Sequence, residues 1–145
     1  MIRTDNRLRL CGVLIVLNLC FIWGNSLLPG EVSGALSDWV KELLAKLLPL
    51  DGPDSTSGGL LRKLAHFTEF ALLGGLLSWL FGMLQKKTIW PFACGFLAAC
   101  MDETIQRFVP DRGPSVLDVG IDTCGVLTGM LLVLWGYTVM KNKKS

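Results

Sequence analysis

Six titratable side chains, His66, Glu69, Asp102, Glu103, Asp118 and Asp122, lie inside or at the margins of stretches apolar enough to cross a lipid bilayer. An ionised side chain at a bilayer centre costs about 2.5 to 3.5 kcal/mol on insertion scales, so such residues face a bundle interior, pair with one another or line a working site. His66 can titrate near neutral pH, and a neighbouring carboxylate could orient it or act as a second acid or base. His66, Glu69, Asp102 and Glu103 are therefore the candidate catalytic set. Arg112 offers a planar fork of donors suited to a phosphate or carboxylate. Lys63 adds positive charge, while Gln106, Asp118 and Asp122 can contact hydroxyls, amides or amines. Ser26 and Ser115 are candidate hydroxyls, although neither sits in a nucleophile motif.

Spacing collects these residues. Lys63, His66 and Glu69 recur at i, i+3 and i+6; Asp102 and Gln106 are one helical turn apart, as are Asp118 and Asp122, so each pair projects from one face. Small residues continue the same faces: Gly95, Ala98 and Ala99 before Asp102, and Gly125 and Gly129 after Asp122, with Gly74 and Gly75 on a third segment. Such residues let membrane helices pack backbone to backbone. A polar pocket between three helices is predicted. One His with several carboxylates could hold a hard divalent ion, and His66 to Glu69 has the reversed spacing of a di-iron Glu-x-x-His. No second imidazole exists, no thiolate lies in the acidic motifs, and the basic residues oppose a cation. Neither a metal nor another cofactor is expected.

The elements that must position these groups are helices in a membrane. Hydrophobic residues make up 51% of the 145 positions and the mean hydropathy is +0.49, with the apolar residues in blocks divided by short charged connections. Four blocks approach the roughly 20 residues needed to span a hydrocarbon core: 10–28, 64–84, 89–109 and 117–140. Arg3, Arg7 and Arg9 precede the first, Lys86 and Lys87 join the second to the third, and Lys141, Lys143 and Lys144 follow the fourth. Basic short loops stay in the cytoplasm, so both termini are expected there and the polar residues in the outer half. Trp23, Trp90, Trp135 and Tyr137 suit interfacial belts.

The first block follows basic residues but leads into Asn25–Gly30 without a small-residue cleavage pattern, so it reads as an uncleaved anchor. Over residues 33–49, Leu36, Trp39, Val40, Leu43, Leu44 and Leu47 recur at helical spacing opposite Asp38, Lys41, Glu42 and Lys46, which predicts an amphipathic helix in the outer interface. Pro49 ends it, and residues 51–59 read as a mobile loop. The five cysteines lie within spans and read as small packing residues without disulfides. The net charge of +2 is mainly a topology signal, and no basic patch with interleaved aromatics suggests nucleic acid. The expected fold is all-α: one polytopic membrane domain over residues 1–145, with four transmembrane helices and one external interfacial helix.

The runs Lys63-Leu64-Ala65-His66-Phe67-Thr68-Glu69-Phe70, Asp102-Glu103-Thr104-Ile105-Gln106 and Arg112-Gly113-Pro114-Ser115-Val116-Leu117-Asp118-Val119, followed by Asp122 and Gly125, resemble the VanZ-like family of bacterial membrane proteins. The Ser26 region is a looser match. Residues 31–59 depart from the family pattern. The resemblance implies a multi-pass protein of the bacterial cell membrane, and the family's name comes from a member associated with low-level resistance to the glycopeptide teicoplanin.

Two functions fit. One is an enzyme acting on a lipid-linked or cell-envelope substrate at the outer leaflet. The other is a binding or transport-like protein that holds an envelope precursor, an antibiotic or a cation without converting it. A cluster that merely locks the bundle is weaker, because desolvation offsets the attraction of buried ion pairs and the carboxylates outnumber their nearby cations. Membrane lipids, and a lipid-linked precursor or glycopeptide, are the expected partners; the oligomeric state is open.

Overall fold

The computed structural model describes residues 2–47, 57–113 and 115–143. Among the described residues are five helices and no strand: α1 (Ile2–Ser26), α2 (Gly30–Leu47), α3 (Ser57–Met83), α4 (Ile89–Gln106) and α5 (Val116–Asn142). Three of them are long and apolar enough to cross a membrane, over Asn6–Ser26, Gly59–Met83 and Val116–Asn142. The third expected span, α4, is not among these. It has 18 residues and carries Asp102, Glu103 and Gln106 in its last turns, which lowers its hydropathy while its length stays near that of a hydrocarbon core.

The boundaries differ from the sequence reading in two informative places. Residues 57–59 belong to α3 rather than to a loop, so Arg62 lies more than one turn inside the helix, from which its Nη2 donates to Gln106 Oε1 of α4. The helix expected over residues 33–49 begins at Gly30. The stop assigned to Pro49, the rest of the expected loop, Pro114 and Lys144 lie outside the described residues.

The closest pair is α3 with α5, running parallel. A Cβ on Gly125 would overlap the Phe67 carbonyl oxygen, and one on Gly129 would overlap the carbonyl oxygen of Ala71 and the amide of Gly75. A Cβ on Gly74 would likewise meet the backbone of Val126. The small-residue spacing on both helices thus serves backbone contact, the arrangement that drives association where lipid removes the hydrophobic advantage.

α4 closes on this pair through buried Gly95, Ala98 and Ala99, with Gly95 seated against the Val126 side chain. α1 contributes a stripe of Cys11, Ile15, Asn18, Ile22 and Ser26, all buried and spaced for one helical face. Apolar residues on the other faces, such as Val16, Leu17, Leu97, Leu131 and Leu132, stand exposed. All five cysteines are free.

α2 leans on α3. Its inward residues are the small and polar Ser33 and Ser37 with Val40, all half-buried, while Val32, Leu36, Trp39 and Leu43 are exposed. The helix therefore turns much of its apolar stripe away from the bundle. Its first residue is fixed to the α4–α5 connection: Gly30 N donates to Pro110 O at 3.2 Å, and a Cβ there would collide with Asp111.

Candidate functional site

Four helix segments converge at the end of the bundle away from the chain termini. α1 brings its last turn, α3 its first turns, α4 its last turns and α5 its first turns. Side chains that are far apart in sequence therefore share one volume.

On α3, Arg62, His66 and Glu69 occupy one face at i, i+4 and i+7, continued by buried Leu73 and Leu77. His66 Nδ1 lies 3.7 Å from Asp102 Oδ2 and 3.7 Å from Asp122 Oδ1. Asp102 and Asp122 are fully buried and the His66 side chain is 12% exposed. Gln106 is a junction: its Nε2 donates to Asp102 Oδ2 at 2.8 Å and to Ser26 Oγ at 3.3 Å, and its Oε1 accepts from Arg62 Nη2 at 3.4 Å. Glu69 accepts from Asn25 Nδ2 at 2.9 Å.

The α4–α5 connection is built to aim Arg112. Pro110 and Asp111 form its bend, with Asp111 at φ 58° and Arg112 N donating to Val109 O at 3.3 Å. Pro followed by a residue in the left-handed region is the pattern of a type II turn, and Asp tolerates that region better than most side chains. Arg112 Nη1 then donates to Ser26 O at 3.4 Å. Burial pushes the Arg112 guanidinium below its ordinary pKa; Arg62 acts in the same direction, while Asp102 and Glu103 oppose it. Ser115 caps α5, accepting from Asp118 N at 3.3 Å, and its own N–H donates to Glu103 Oε2 at 2.7 Å.

Two cavities open on this network. The larger, about 460 Å³, lies between α1, α2 and α3, with Asn25, Arg62, His66, Glu69 and Arg112 at its polar side and Leu28, Leu36, Val40, Leu61 and Leu64 along its apolar wall. The smaller, about 180 Å³, is lined by Arg62, Lys63, His66, Gln106, Asp118 and Asp122. His66 and Arg62 border both.

The expected pocket between α3, α4 and α5 thus exists as the smaller cavity, and the larger one adds α1 and α2. His66, Glu69, Asp102, Glu103, Gln106, Arg112, Ser115, Asp118, Asp122 and Ser26 are brought together; Lys63 is exposed at the rim. Ser26 is fully buried and its hydroxyl already accepts from Gln106, and Ser115 serves as a cap, so both hydroxyls are engaged in holding the fold.

Sequence reasoning missed Arg62 and Asn25. The signal for Arg62 was its i, i+4, i+7 registry with His66 and Glu69, which matches a 3.6-residue turn better than the i, i+3, i+6 series through Lys63. The signal for Asn25 was its position seven residues after Asn18, close to the inward stripe of α1.

No curated protein and no solved structure matches the chain. The family model described as VanZ/LLP1 does match, over residues 11–137, from Cys11 of α1 into the last turns of α5 and across the whole polar cluster. By that match over most of its length, the chain belongs to the VanZ/LLP1 family.

Proposed function

We propose that this VanZ-family membrane protein acts on a lipid-linked or cell-envelope substrate with an anionic headgroup, at the outer face of the bacterial cell membrane. The observation that carries this reading is the larger cleft, whose one side is apolar and whose other side presents Arg62 and Arg112 next to His66 and Glu69. An amphiphile fits such a division: its chain lies along Leu36, Val40 and Leu64, and its charged group meets the two guanidinium groups. His66 and Glu69, three residues apart on α3, are then placed to exchange a proton with it. Asn25 orients Glu69, and Gln106 orients Asp102.

The topology is part of the same reading. α4 crosses beside α1, α3 and α5, with exposed Phe96, Leu97 and Met101 toward lipid and its polar residues inward. Arg7, Arg9, Lys86, Lys87, Lys141 and Lys143 then gather at one end of a four-span bundle, which the distribution of positive charge assigns to the cytoplasm together with both termini. The polar cluster lies at the other end. α2, with Val32, Trp39 and Leu43 exposed beyond the cleft, rests in the outer interface, where an apolar stripe is stable.

A contribution to glycopeptide resistance is the physiological form of this proposal. Its test is teicoplanin susceptibility in a Gram-positive host carrying wild type, Arg112→Ala or Glu103→Gln at equal membrane abundance. Protection by wild type and not by the variants is expected. Absence of protection by wild type removes the resistance role, and equal protection by the variants removes the site.

A further inference from the structure

Asp122 is fully buried, and neither of its carboxylate oxygens has a hydrogen-bond partner. Leaving a buried carboxylate unsatisfied is costly, so an arrangement of this kind calls for a positive partner between its oxygens and their neighbours. The neighbours are His66 Nδ1 and Asp102, whose Oδ1 is also buried without a partner. One donor atom from each of His66, Asp102 and Asp122 lies within 4.8 Å of the other two.

The geometry points to a site for a divalent first-row transition ion held by His66 Nδ1 and the carboxylates of Asp102 and Asp122. Two donors each about 2.0 to 2.2 Å from one ion lie roughly 2.8 to 3.8 Å apart at ligand angles between square and trigonal. The two His66 separations of 3.7 Å fall in that range and are too long for hydrogen bonds. Each ligand comes from a different helix, α3, α4 and α5, and the α3–α5 backbone contact fixes two of them. Gln106 donates to Asp102 at 2.8 Å, the outer-shell bond that holds a ligating carboxylate in place.

Charge permits the ion. Glu69, Asp102, Glu103, Asp118 and Asp122 bring five carboxylates to this end of the bundle, against the cations Arg62, Arg112 and Lys63, and Arg62 and Arg112 are engaged with Gln106 and the Ser26 carbonyl. One imidazole with two carboxylates favours Mn²⁺, Fe²⁺ or Zn²⁺ over Mg²⁺ or Ca²⁺, which prefer oxygen ligands alone. Three protein ligands leave coordination positions beside the smaller cavity, which His66 and Asp122 both line. The inference goes beyond the substrate reading and stands without it; with His66 Nδ1 on the ion, proton exchange with a substrate falls to Glu69.

The test is binding of the metal alone. Chelator-stripped full-length protein in lipid nanodiscs is titrated with Mn²⁺, following free ion by electron paramagnetic resonance, and with Zn²⁺ by calorimetry. Saturable uptake of one ion per chain is expected, with affinity at least tenfold lower in Asp122→Asn and His66→Gln proteins of unchanged helical circular dichroism. No saturable uptake of either ion by wild type overturns the site, as does equal uptake by folded variants. The wild-type titration decides the matter even where a variant fails to fold. Failure here leaves the teicoplanin assay unaffected, and failure there leaves the binding stoichiometry to be read as it stands.

Discussion

Asn25 Nδ2 donates to Glu69 Oε1 across 2.9 Å, and this bond ties the last turn of α1 to the face of α3 that carries His66. The other Glu69 oxygen is buried without a partner. Asn25→Ala therefore leaves the whole carboxyl group without a donor, at an expected loss of about 1–3 kcal/mol. Thermal unfolding in detergent measures it, and a variant that melts with wild type would show that the bond contributes nothing.

The α3–α5 interface has its own signature. Gly129→Ala forces a Cβ onto the Ala71 carbonyl and the Gly75 amide, so the helices must separate. The expected destabilisation is about 1–3 kcal/mol or more, as for overpacking in a tight core. Gly120→Ala on the same helix meets nothing within 4 Å and should be neutral or stabilising by up to ~1 kcal/mol through helix propensity. Denaturant titrations of the two variants side by side discriminate close backbone packing from a general intolerance of α5 to substitution.

Ser115 separates a cap from a nucleophile. Its Oγ accepts from Asp118 N, while its backbone N–H serves Glu103. Ser115→Ala should lower stability by about 0.5–2 kcal/mol yet retain teicoplanin protection wherever wild type protects, because the bond to Glu103 comes from the backbone. Complete loss of protection in a folded Ser115→Ala protein would assign the hydroxyl to the chemistry.

The start of α2 should be sensitive to size at one glycine only. Gly30→Val places side-chain atoms against Asp111 and is expected to lift α2 from the turn that holds Arg112, at a local cost of about 1–3 kcal/mol. Gly34→Val meets nothing within 4 Å and should leave α2 seated. Amide hydrogen exchange across α2 reads the difference, with faster exchange in the first variant only.

Much of the helical plan was legible without coordinates. The apolar blocks predict long helices, found as α1, α3 and α5, and the small-residue spacing predicts packing at glycines, which α3 and α5 show at Gly74, Gly125 and Gly129. Less legible as a span was α4, whose hydropathy is lowered by the acidic residues of its last turns. Arg62 was less legible because a stripe read at every third residue drifts around a helix of 3.6 residues per turn; Arg62 stays in register with His66 and Glu69, and Lys63 stands beside it at the rim of the smaller cavity.

By itself the sequence determined which side chains are too polar for their surroundings and which helices carry them, because periodicity and hydropathy are local properties. The tertiary structure alone decided which of them meet. His66, Asp102 and Asp122 lie on three separate helices, and their 3.7 Å approaches depend on the depth to which α5 sinks onto α3 at Gly125 and on the register of α4 against both. The part played by α1 and α2 was decided in the same way: Asn25 and the apolar wall of the larger cleft enter the site through packing, which no spacing along one chain segment encodes.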